Sequence, residues 1–258
     1  MTPQALLALT VLTAVFACPA LGIEDRADIE PNDLPSAGGS PIAWKLTPGV
    51  YTETAARPAA DLNLRGNQEA DVFWIGHYQR GEEFRQTRAG YERQFTVSNA
   101  KLIVSAQYAS RGFVGASTTL EFNGGPDARW FGLVGLGRTN TRPYYNLNFD
   151  PNDSTLIGAG WRPDASTTIT GYQIRDDRLD TGQRVTHLVV RRKTGHLTRI
   201  TIDVFERAGR ASPEADLFRG TGITLTYDHD TWFVRASHDP KAGFTASDMT
   251  RLAIGMRF

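Results

Sequence analysis

The chain has 258 residues, room for one large domain or two small ones, and its Lys+Arg and Asp+Glu totals are both 28. That balance leaves no charge asymmetry with which to hold nucleic acid or an acidic partner. After the first 22 residues, no stretch approaches the roughly 18–20 consecutive apolar residues of a membrane-spanning helix, so the chain can cross a membrane only as a closed barrel.

Residues 1–22, MTPQALLALTVLTAVFACPALG, carry no charged side chain and read as a signal peptide. Their apolar run is too short to span a bilayer, and Ala20 and Gly22 offer a cleavage point before Ile23. Cys18, the sole cysteine, is either discarded with this segment or lipidated, because Val15-Phe16-Ala17-Cys18 resembles a lipobox. Phe16 is bulky for that motif and Pro19 follows directly, which favours ordinary cleavage. Residues 23–43 are polar, acidic and rich in Pro, Gly and Ser, as expected of a flexible periplasmic leader.

From Trp44 to Phe258 one unit repeats: a strand of about 8–12 residues followed by a turn signal. Strands are expected to begin near residues 45, 59, 71, 84, 100, 112, 128, 154, 166, 184, 197, 217, 231 and 248. The fold class is therefore all-β: an antiparallel up-and-down barrel over 44–258, with about 14 strands expected and 12 as the alternative. Strict alternation supports this. Ile200, Ile202 and Val204 oppose Arg199, Thr201 and Asp203, and Leu252, Ile254 and Met256 oppose Arg251, Ala253, Gly255 and Arg257.

A soluble sandwich would alternate in the same way. Three features favour a membrane barrel. Arginines occupy mid-strand positions, as a hydrated lumen allows. Aromatic residues gather near strand ends, where interfacial girdles lie: Trp44, Tyr51, Tyr78, Tyr108, Trp130, Trp161, Tyr227 and Trp232. Turn lengths also alternate: counting back from Phe258, short connections alternate with longer ones at 239–247, 207–216, 176–183 and 139–153. Short turns on one rim and long loops on the other place both termini on the periplasmic side.

The final TRLAIGMRF resembles the C-terminal strand of Gram-negative outer-membrane proteins, with its alternating apolar residues and terminal Phe258. The likeness implies an outer-membrane location, contact with lipid and lipopolysaccharide, and recognition of 248–258 by the barrel assembly machinery. The segment GLGRTNTRPYYNLNFDPNDS, with KLTPGVY and DLNLRG, is also similar to a group of proteobacterial barrel proteins. That second likeness implies the architecture and carries no activity.

The longest loop, about 139–153, is the leading candidate for function. With Arg138 and Arg142 it sets Tyr144, Tyr145, Asn146 and Asn148 where they could fold into the mouth, line a constriction or grip a polar solute. The bland alternative is a loop closed on itself. The strand register points Arg88, Glu92, Lys101, Glu121, Arg162, Arg191, Arg199, Asp203, Arg235, Arg251 and Arg257 into the lumen. Basic groups outnumber acidic ones there, so the row either favours anions or pairs across the barrel and fills it.

Ser237-His238-Asp239 lacks the geometry of a catalytic set, because neighbours on a strand face opposite ways. Asp228-His229-Asp230 reads as turn chemistry, and Gly132, Gly135 and Gly137 as positions that let the sheet curve. No pattern calls for a cofactor, a metal or an enzymatic role. The expected function is transport of a small, anionic solute, with a structural or surface-interaction barrel of filled lumen as the alternative.

Overall fold

The computed structural model describes residues 41–54, 56–124, 128–145, 153–176 and 178–258. The expected signal segment with Cys18, the leader up to residue 40, and the candidates Asn146 and Asn148 lie outside the described residues.

The alternating runs form fourteen strands: β1 (Ala43–Glu53), β2 (Ala56–Gln68), β3 (Asp71–Arg80), β4 (Phe84–Val97), β5 (Ala100–Ala109), β6 (Phe113–Gly124), β7 (Trp130–Thr139), β8 (Ser154–Asp164), β9 (Thr167–Asp176), β10 (Arg184–Lys193), β11 (Thr198–Gly209), β12 (Phe218–His229), β13 (Trp232–Asp239) and β14 (Met249–Arg257). Their lengths, from 8 residues in β13 to 14 in β4, bracket the about 9–11 that a tilted strand needs to cross a bilayer. A single 3-10 turn, Ala242–Phe244, is the only helical element among the described residues.

Each strand pairs antiparallel with its chain neighbours, and β1 pairs with β14, so the sheet closes without a free edge. The seam runs to the last residue. Trp44 N–H donates to the Phe258 carbonyl at 2.9 Å, and Phe258 N–H returns the bond to Trp44 at 3.0 Å. Closure matters because an unpaired backbone group in hydrocarbon costs several kcal/mol. An even strand count sets both chain ends on one rim, the terminal rim; the longer connections, including 140–153, 177–183, 210–217 and 240–248, lie on the other, the loop rim.

Period two separates the faces. Outward side chains form an apolar belt through Val50, Leu62, Ile75, Val134, Ile157, Leu188, Leu225, Leu252 and Ile254, all exposed. A belt of this kind suits lipid and would aggregate in water. Below it, towards the terminal rim, Trp44 meets Phe73, Trp130 stacks on Trp161, and Tyr227 packs on Trp232. Tyr51 and Tyr78 do not join this girdle. They share the parity of inward-facing Gly49 and Gly76 and are buried inside the barrel.

Inward-facing aromatic rings lie flat on the wall. Phe131, Phe205, Phe233 and Trp74 each stand directly opposite a glycine on the next strand: Gly160, Gly222, Gly255 and Gly90. A Cβ at any of the four would come within 2.3 Å of a ring carbon. The missing side chain lets the ring fold over the backbone instead of standing into the lumen. Outward-facing Gly132 serves Phe122 in the same way, with a ring atom 2.1 Å from where its Cβ would be. Its role is therefore close approach of an aromatic ring rather than the expected curvature.

Candidate functional site

Strands spaced 4.7–4.9 Å apart and tilted by about 40° place the backbones of fourteen strands roughly 27 Å apart across the ring. Wall side chains alone cannot close such a ring, so its mouth depends on a loop. The segment after β7 supplies it. From Thr139, six residues can reach about 20 Å when extended, and the chain spends that reach in crossing the mouth.

Tyr145 arrives against the inner wall of β3 and β4. Its ring stacks on Tyr78 of β3 at 3.6 Å and meets Tyr51 of β1 and Phe84 of β4 edge-on or tilted. Its hydroxyl lies 3.9 Å from Met249 Sδ of β14. Tyr144 stays nearer the start, stacked on Phe113 of β6 at 4.2 Å. Both tyrosines are buried. Burial pushes the Tyr145 phenol well above the ordinary tyrosine range, so it remains protonated at any working pH.

Two side chains of β4 hold the crossing in place. Gln86 uses its whole amide: Nε2 donates to the Pro143 carbonyl at 2.9 Å, and Oε1 accepts from Tyr145 N–H at 2.7 Å. Arg88 donates from Nη1 to the Tyr145 carbonyl at 3.0 Å and from Nη2 to Asp61 at 2.5 Å. To reach Asp61 on β2, the guanidinium passes over Gly76 of β3, where a Cβ would sit 2.9 Å from Nη2. The loop base is clamped as well. Asp153 accepts from Thr139 N–H at 3.1 Å and Oγ1 at 2.7 Å, and Arg178 bridges from the next loop at 3.0 Å.

Not every loop candidate joins these contacts. Arg142 is exposed, and Arg138 has the outward parity of Val134 and Leu136, its Nη1 donating to the Gly137 carbonyl. Strand register would have separated Arg138 from the inward Gly137 and Thr139.

Beneath the crossing, Arg199, Asp203, Arg235, Arg251 and Arg257 all lie on the lumen face. A polar cleft on the inner wall of β1, β2, β13 and β14 is lined by Lys45, Arg65, Arg235 and Arg251, with Asp61, Asn63 and Tyr51 beside them. Near the terminal rim, Lys45, Arg235 and Arg257 surround the flattened Phe233 ring at 4.6, 5.9 and 5.1 Å. A basic column thus runs from Arg257 to Arg251, directly below Tyr51 and the loop. The opposing wall, β7 to β10, is largely apolar, with Phe131, Leu133, Leu156, Tyr172, Ile174 and Val189 packed together.

Some of the charge is neutralised. Asp228 accepts from Arg199 Nε at 3.4 Å and also pairs with Arg257. It belongs to β12 and points inward, so the expected turn role for it is overturned: β12 continues through His229 before the chain reverses. His187 and Asp203 are joined at 2.9 Å beneath the Tyr172 ring, and Arg162 holds Glu121 at 2.9 Å. Ser237 faces inward to Thr224 at 2.8 Å, whereas His238 faces outward to Thr250 at 3.4 Å, so the two do not converge.

No protein-family model matches the sequence, and no curated protein matches it. Among solved structures, the outer membrane protein Omp33 of Acinetobacter baumannii aligns with 84% of this chain and 98% of its own, at 8% identity and a TM-score of 0.54. Salmonella typhi OmpF, solved with daunomycin, aligns with 86% and 98% at 8% identity and a TM-score of 0.49. The KdgM porin, solved with disordered oligogalacturonate, aligns with 83% and 99% at 5% identity and a TM-score of 0.44. At such identities the Omp33 likeness speaks for the fold alone. What the two chains share is the fold, and this chain is a closed, antiparallel, 14-stranded β-barrel.

Proposed function

We propose that the barrel is a passive channel for small organic anions, restricted at the loop rim by the segment around Tyr144 and Tyr145. The observation that carries this reading is the cleft on the inner wall lined by four bases, Lys45, Arg65, Arg235 and Arg251, and one acid, Asp61. Fixed positive groups in a narrow aqueous path raise the local anion concentration and repel cations. The apolar wall opposite favours a solute with an apolar body over an inorganic ion. Flattened aromatic rings support an open path, since upright rings would obstruct it. Strand β14 would serve as the signal by which the assembly machinery takes up the chain.

The test is the reversal potential of the purified barrel in a planar bilayer under a salt gradient, followed by addition of an aliphatic or aromatic carboxylate. Anion selectivity and concentration-dependent block by the carboxylate are expected. Persistent silence in the bilayer would favour the second reading, a structural barrel with a closed lumen. The Tyr51–Tyr78–Tyr145 cluster is the feature that favours it.

A further inference from the structure

We propose that the outer wall of β9 and β10 at the loop rim binds the phosphate group of an outer-leaflet glycolipid. The pairing register places Arg175 of β9 directly opposite Arg184 of β10, both outward and exposed. Like charges directly opposite on neighbouring strands destabilise a sheet. Among the described residues, neither guanidinium has a hydrogen bond or an ion pair. Along the same row, Thr155 lies on one side, and Ala208 followed by Arg219 on the other. The nearby acid, Glu206, is taken by Arg219 at 2.7 Å. The row thus presents a forked pair of donors with no anion of its own, a geometry suited to bidentate phosphate.

The wall below fits a lipid rather than a free ion. One row down, Gln173 and Thr186 hydrogen-bond at 2.8 Å and form a polar step. A further row down, Ala159 and Gly171 stand beside Leu188. A Cβ added at Gly171 would meet nothing nearer than the His187 carbonyl at 4.0 Å, so the wall is open there. Small residues beside exposed Leu188 and Ile157 make a shallow trough running down into the apolar belt. An acyl chain can lie in it while the headgroup phosphate meets Arg175 and Arg184. The site lies on the outside of the barrel and is independent of any transport through the lumen.

The experiment compares binding of diphosphorylated and fully dephosphorylated lipid A to the full-length barrel in detergent micelles, by native mass spectrometry. The wild-type barrel is expected to prefer the diphosphorylated lipid by about tenfold or more, as charge-assisted bonds to phosphate require. Equal binding of the two lipids by the wild type would overturn the proposal, and this comparison needs no variant. The R175Q/R184Q double variant is expected to lose the preference, and R175K/R184K to keep part of it. A double glutamine variant that binds like wild type would also overturn it. Gly171→Leu is expected to weaken the lipid, and inorganic phosphate at matching concentration to leave it bound; equal displacement by phosphate would overturn the lipid assignment.

Discussion

Gln86 grips Tyr145 as a strand would, accepting from its N–H at 2.7 Å while the same amide donates to Pro143 two residues earlier. A side chain of the barrel wall thereby takes the place of a neighbouring strand for a segment that crosses the mouth. The Tyr145 N–H is buried and the Pro143 carbonyl partly so, and they need these partners or water. Gln86→Leu is expected to free the crossing, because leucine fills the space and bonds neither group. Leaving buried polar groups unsatisfied costs about 1–3 kcal/mol each. The segment should then leave the Tyr78 ring, with larger and noisier single-channel conductance. Unchanged conductance together with unchanged tyrosine fluorescence would show that Gln86 does not hold the mouth.

Tyr145→Ala tests the same restriction from the loop side. It removes the ring stacked on Tyr78 and leaves both backbone bonds to Gln86 in place. The conductance is expected to rise, and block by a carboxylate to weaken. Arg142→Ala is expected to change neither, since Arg142 is exposed and takes no part in the stack on Tyr78. If the paired substitutions together left both readouts at wild-type values, the segment would have no part in permeation.

Much of this arrangement is legible from alternation alone. Strand positions, the inward register of Arg199, Arg235 and Arg251, and the run of the last strand to Phe258 all follow from period two and turn spacing. Tyr51 and Tyr78 were open to the same logic. Their parity with Gly49 and Gly76 marks them as inward, but proximity to strand ends suggests a girdle. Asp228 was obscured differently, since Asp-His-Asp favours a turn on composition although the strand runs on through His229. Gln86 carried no signal at all. Its importance arises where the loop after β7, three strands away around the ring, lands, and no local pattern encodes a landing point some sixty residues away in sequence.

The basic column can be sharpened by removing its counter-charge. Asp228 pairs with both Arg199 and Arg257 near the terminal rim. Asp228→Asn keeps the shape and exposes both guanidinium charges to the lumen. The anion-to-cation permeability ratio is expected to rise, and the increase to shrink at high salt as screening shortens to about 3 Å near 1 M. A reversal potential that does not move would place this cluster off the conduction path.

At the loop rim, Asp248 gives a pH dependence of definite sign. Lys241 donates to its Oδ1 from the backbone N–H at 3.0 Å and from Nζ at 3.1 Å, and these bonds hold the carboxyl below the ordinary Asp value. A folded value below the unfolded one stabilises the folded loop at any pH above the unfolded value, and that contribution fades as pH falls through the folded value. Asp248 is partly exposed, so the effect on global stability is small. It should appear locally, as lower protection against hydrogen exchange, relative to the intrinsic rate at each pH, in 240–248 below about pH 4. Asp248→Asn should show lower protection at neutral pH and little change in it on acidification.

The flattened rings make the last prediction. Phe233 lies over Gly255 with a ring atom 2.0 Å from where a Cβ would stand, and Lys45, Arg235 and Arg257 surround that ring. Gly255→Val leaves no room for the ring against the wall. Overpacking of this kind costs typically 1–3 kcal/mol, and the open direction for relief is the lumen. Phe233 should therefore swing inward, carry the cations with it, and narrow the path, lowering conductance while the barrel still migrates as folded in an unheated gel. The double variant Gly255→Val with Phe233→Ala should recover most of the lost conductance, because it removes the ring that was displaced. If the single variant conducts like wild type, the cross-strand glycines serve packing of the wall and not the width of the lumen.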